Sequence, residues 1–132
     1  MAEKVKMAEG AKCACEAANI GLYACSGASN VGQMANQVAV ELTKQGKGRM
    51  MCTAGIGGRI PGIMKSTEGA DVIVAIDGCS LNCTKQSLEL AGFTVGTHVV
   101  LTELGVAKNK HLDVDANEVS EILVKLEKSL GI

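Results

Sequence analysis

Cys79-Ser-Leu-Asn-Cys83 is the segment whose residue types and spacing point most directly to chemistry: three residues separate two thiols, a spacing that zinc-binding pairs use. A helix pattern runs from Ser80 to Ala91 and stops at Gly92, which puts Cys83 on its first turn. There the positive end of a helix dipole favours a thiolate, the form that a metal binds. Cys25 and Cys52 extend the set, each at or near the end of a short apolar run that reads as a strand. An all-thiolate set suits zinc or an iron–sulfur cluster and is a poor match for magnesium or calcium. The same residues also support a rival chemistry, thiol or sulfur transfer with Cys25 as nucleophile and Cys79 and Cys83 as resolving thiols. Closure of a Cys79–Cys83 disulfide is the related redox option, although the Cys-x-x-Cys of thioredoxin-like proteins is absent. The plainest alternative is a set of small thiols packed at strand ends.

The elements that must position these thiols are legible around them. Asn19 to Cys25 is a short apolar run closed by Ser26-Gly27, and Val31, Met34, Ala35, Val38, Ala39 and Leu42 then fall on one helical stripe. Asn30 and Gln33 are spaced as a capping box, and Gly46 is placed to stop the helix. Arg49 to Thr53 reads as a second strand, followed by the glycine-rich loop Ala54 to Gly58 and a short helix that begins at Pro61 and ends near Gly69. Asp71 to Asp77 is the clearest strand, apolar on both faces as a central parallel strand must be. Thr94 to Leu101 reads as a fourth strand. Asp115 with Glu118 forms a capping box for a last helix, whose Val119, Ile122, Leu123, Leu126 and Leu130 repeat the helical stripe.

Strands alternating with helices predict an α/β fold: a small three-layer domain over residues 19–132 with a parallel sheet of about four strands in the flavodoxin-like or Rossmann-like order 2-1-3-4. Residues 1–18, which include Cys13-Ala-Cys15, read as a flexible tail. In such a sheet Cys25, Cys52 and Cys79 all fall at carboxyl ends of strands, the edge where open parallel sheets bind ligands. Neighbouring strands are ~4.8 Å apart, and tetrahedral zinc needs its sulfurs roughly 3.8 Å apart, so adjacent strand tips meet the requirement with modest side-chain adjustment.

The blocks Cys25-Ser-Gly-Ala-Ser-Asn-Val-Gly-Gln, Cys52-Thr-Ala-Gly-Ile-Gly and, above all, Ile76-Asp-Gly-Cys-Ser-Leu-Asn-Cys83 resemble those of the DGC family, zinc-binding proteins named after the central Asp-Gly-Cys. The likeness covers roughly residues 19 to 101, with the three blocks in the family's order. It implies four chelating cysteines, which map to Cys25, Cys52, Cys79 and Cys83, and it implies little about biological role. Cys13 and Cys15 lie outside it and read as part of a variable tail in preference to a second metal-handling site. Four thiolates on one zinc would leave no position for a bound water, so hydrolysis is not the expected activity. A structural, sensing or metal-transfer role is.

Other residues carry weaker signals. The loop Ser26 to Asn30 enters a helix N-terminus, where an anion can bind, but it lacks the glycine–lysine pattern of a P-loop. A tight turn presenting Cys25 is the preferred reading. The position six after Cys25 is Val31, which argues against cysteine-dependent phosphatase chemistry, where an arginine stands there. Asp77 is placed to cap the following turn, with a hydrogen bond behind the cysteine site as the alternative. Arg59 reads as a solvated residue more than an anion ligand, and His98 and His111 read as structural or surface residues. Of Met50 and Met51, at least one belongs to the core.

Composition narrows the classes. Lys plus Arg number 13 against 14 Asp plus Glu, a net charge of -1, so no polybasic nucleic-acid footprint is present. With one Tyr, one Phe and no Trp, stacking on bases or sugars is also disfavoured. Charges scattered through the first residues break up any secretory signal, and no apolar run approaches the ~20 residues of a membrane helix. A cytoplasmic setting, where thiols stay reduced, is therefore expected, and six cysteines there suggest metal or redox chemistry over a disulfide scaffold.

Overall fold

Alternating apolar side chains in the strands dictate a sheet covered on both faces. In the computed structural model, which describes residues 18–131, that sheet has β1 (Ile20–Ala24), β2 (Arg49–Met50), β3 (Val72–Asp77) and β4 (Thr97–Val100). All neighbours are parallel and the spatial order is β2-β1-β3-β4, as predicted. Tyr23 lies opposite Ala75 and Ala24 opposite Ile76 in the central β1–β3 pair. Successive side chains point to opposite faces. Leu22, Ala24, Val74 and Ile76 therefore join one core, beneath α1 (Asn30–Lys44) and α5 (Ala116–Leu130), which supply Met34, Val38, Leu42, Val119, Ile122 and Leu126. Tyr23, Ile73 and Ala75 join the other, with Ile56 of α2 (Thr53–Gly57) and Leu88 of α4 (Cys83–Leu90); Ile63 and Met64 of α3 (Pro61–Glu68) pack against it. A 3-10 turn, Leu101–Leu104, follows β4.

Several element boundaries differ from the sequence reading for identifiable reasons. The N-cap of α1 is Ser29, whose hydroxyl accepts from the Gly32 amide at 3.1 Å, and not Asn30. Gln33 instead donates to the carbonyls of Ser26 and Gly27. The second strand is only Arg49–Met50, and the glycine-rich stretch after it is the short helix α2, with Cys52 as its N-cap. Helix α4 begins at Cys83 and not at Ser80, because Asn82 adopts the left-handed conformation (φ 57°) and resets the chain. β4 begins at Thr97, and Asp115 caps α5 through the Asn117 and Glu118 amides. Met50 packs against the first core and Met51 against the second. The tail with Cys13 and Cys15 lies outside the described residues, apart from Ala18 at its end. No helix among the described residues is long and apolar enough to cross a membrane.

Candidate functional site

From β1 the chain leaves through α1 on one face of the sheet, and from β3 it leaves through α4 on the other. The gap between the carboxyl ends of β1 and β3 is therefore the topological switch point, the usual ligand crevice of an open parallel sheet. Cys25 follows β1 immediately and Cys79 lies two residues past β3, so both border it. The Cys25 amide still extends the ladder, donating to the Ile76 carbonyl at 3.0 Å. Close backbone approaches fix this corner. A Cβ on Gly78 would lie 2.6 Å from the Val31 carbonyl, and one on Gly32 would lie 2.7 Å from the Gly27 amide. The Asp-Gly-Cys loop, the loop after Cys25 and the first turn of α1 thus meet backbone to backbone, which side chains at these positions would prevent.

Each thiol has a distinct setting. Cys25 is half-buried; burial pushes its pKa up, as do the nearby Cys83 and Asp77, while the backbone N–H groups of Gly27 and Gly78 favour its thiolate and pull the other way. Cys52 is exposed, and its Sγ accepts the Gly55 amide at 3.3 Å, taking the capping role that Ser, Thr, Asp or Asn usually fills. Cys79 is half-buried, and the Lys108 ammonium stands 3.4 Å from its Sγ. Cys83 is exposed at the first residue of α4. All four are free thiols.

Lys108 reaches Cys79 from the segment after β4 because Asn30, almost fully buried, holds that segment down. The Asn30 side-chain amide donates to the Ala107 carbonyl at 2.8 Å and its Oδ1 accepts the Asn109 amide at 2.7 Å, with the Asn30 amide on the Asn109 carbonyl at 3.2 Å. Asp77, 1% exposed, accepts the Thr84 amide at 2.7 Å, the Lys85 amide at 3.2 Å and His98 Nε2 at 2.8 Å. It caps α4 from the end of β3 and not the turn that follows it. Arg59 takes up the left-handed conformation, and its guanidinium donates to the Ile56 and Gly57 carbonyls, so it closes the end of α2. His111 is exposed; its own amide donates to Asn109 Oδ1.

The predicted thiols thus share the carboxyl edge of the sheet, yet among the described residues no three His, Cys, Asp or Glu side chains are arranged to hold one metal ion. Among the described residues, the buried side-chain oxygens without a hydrogen-bond partner are Thr53 Oγ1, Asn82 Oδ1 and Thr84 Oγ1. Thr53 follows Cys52, and Asn82 and Thr84 flank Cys83. Such orphaned groups each cost about 1–3 kcal/mol, and here they concentrate beside the two exposed thiols on α2 and α4, helices that pack against each other.

A family model for the DGC domain matches residues 21–126, which spans all four cysteines and the elements that present them. The chain belongs to the DGC family. It is also 37% identical over 109 residues to the anaerobic and virulence modulator AnvM of Pseudomonas aeruginosa, covering 83% of each chain. No solved structure matches it. The roles of His98, Lys108 and Asn30 escaped the sequence reading. Each acts across more than twenty residues, and only the sheet order of β3 and β4 signals that His98 and Asp77 are neighbours.

Proposed function

We propose that this protein binds a soft metal ion of the zinc class through Cys25, Cys52, Cys79 and Cys83 and acts as a sensor or carrier of that ion. The observation that carries the reading is the clustering of unpartnered buried oxygens beside Cys52 and Cys83, at the same edge that presents Cys25 and Cys79. The chemistry of the donor set fits: four reduced thiols, one with backbone N–H groups that favour its thiolate, one accepting a backbone amide and one beside an ammonium that offsets negative charge. Bound zinc would supply a cross-link between the loops that end β1, β2 and β3. Because the thiols are not already gathered, loading the site rearranges the starts of α2 and α4, and those are the segments whose orphaned oxygens gain from a change of partners. A binding step coupled to local rearrangement suits sensing, and the name of the related AnvM, a modulator, agrees with it.

One observation favours a second reading. Cys83 lies close enough to Cys25 to raise its pKa, so a dithiol that loses two electrons and two protons to a disulfide oxidant is the rival. Cobalt(II) titration of the reduced, metal-free protein separates the two. Intense tetrahedral d–d bands with sulfur-to-cobalt charge transfer, saturating at about one ion per chain, are the expected result. Octahedral, weak bands would overturn the proposal, and a brown protein as purified would point to an iron–sulfur cluster instead.

A further inference from the structure

Helix α4 carries Cys83 at its first residue but does not cap itself: Asn82, at the N-cap position, is left-handed and makes no side-chain cap bond. The free amides of the first turn are taken by Asp77, at the end of β3. A carboxylate 1% exposed has no water to fall back on and is held by its donors. Asp77 Oδ1 has the Thr84 amide, while Oδ2 has the longer bond to Lys85 and the 2.8 Å contact with His98 Nε2. His98 comes from β4, where its backbone lies opposite Ala75. Ala75 and Asp77 share a face of β3, so His98 reaches Asp77 on the diagonal, over a side chain too small to block it. The opposite end of the segment is fixed by Gly78 against α1.

We infer that His98 is a positioning residue for the cysteine edge: through Asp77 it fixes the start of α4 and with it the Cys79–Cys83 segment. The consequence for metal rests on the thiolate-site reading above, whereas the lock itself does not. Without the imidazole, Oδ2 keeps only the weaker Lys85 bond, the carboxylate rotates, and the first turn of α4 frays with Cys83 on it.

The test compares His98→Leu, which deletes the donor, with His98→Gln, whose side-chain amide can still donate, and with Asp77→Asn. In the reduced, metal-free proteins, amide hydrogen exchange at Thr84 and Lys85 is expected to accelerate about tenfold in His98→Leu, with Val38 and Ala39 of α1 unchanged. His98→Gln is expected to return most of the protection. Asp77→Asn reproduces the loss, so the lock can be judged even if His98→Leu does not fold. Zinc affinity, read by competition with a chromophoric chelator, is expected to fall about tenfold or more in His98→Leu and to recover in His98→Gln. Wild-type exchange at Thr84 and Lys85 in His98→Leu, or an equal rise throughout α1, would overturn the inference. If the wild-type protein takes up no zinc, the metal reading fails alone and the exchange data still decide the lock.

Discussion

Cys25, half-buried just past the end of β1, and Tyr23, fully buried within that strand, show how burial sets acidity here. Cys25 keeps its proton to higher pH than an ordinary thiol because burial outweighs the help of the Gly27 and Gly78 amides. On the proposed zinc reading a metal would have to displace that proton, so the affinity that reading predicts grows as pH rises. Tyr23, fully buried in the opposite core, provides an independent measure of the same effect. Its hydroxyl donates to Thr67 Oγ1 at 2.6 Å, and Thr67 in turn donates to the Ile63 carbonyl. Burial raises the Tyr23 pKa above its ordinary value of 10.0, against the opposing pull of Thr67 and Arg49. A raised acid pKa in the folded state means that the stability it contributes is complete below the unfolded value and is lost as pH climbs through the folded one. With a single Tyr and no Trp, the phenolate absorbance belongs to Tyr23 alone. It should appear only above the ordinary range, together with the onset of alkaline unfolding; ionisation at the value of free tyrosine in a folded chain would contradict the burial.

At the scale of elements, the site is built by segments that hold one another at a distance. Replacing Asn30 with Ala removes the two side-chain bonds that pin the segment after β4, one to Ala107 and one to Asn109. The expected cost is about 2 kcal/mol in chemical denaturation, with faster proteolysis between residues 106 and 114 as Lys108 leaves Cys79. Unchanged stability and protection would show that the segment is held elsewhere. How much of this was legible in the sequence depends on range. The stripes of α1 and α5 and the apolar run of β3 are local patterns and were readable, and from them the strand order and the shared edge of the cysteines. The helix at Thr53–Gly57 was hidden by glycines, which disfavour helix; here Cys52 caps it and Arg59 closes it. The late start of α4 was hidden by Asn82, whose left-handed turn carries no periodic signal. The contacts of Asp77 with His98 and of Lys108 with Cys79 join residues 21 and 29 apart, and nothing local announces them.

For the molecule as a whole, two unequal cores divide the labour. The larger, under α1 and α5, buries an aliphatic interior, and the smaller, on the face of α2, α3 and α4, carries Tyr23 and leaves helix starts with orphaned oxygens beside Cys52 and Cys83. The face of α1 and α5 anchors Cys25 and Gly78, and the other presents the two exposed thiols. On the proposed reading, ion binding would rearrange the starts of α2 and α4 while the sheet and α1 stay in place. The most direct test is the metal content of the reduced protein purified without added zinc, beside Cys83→Ser and Cys52→Ser variants prepared the same way. The account predicts about one zinc per wild-type chain and clear loss in both variants. Clearly substoichiometric zinc in the wild type, with no further loss in either variant, would contradict it.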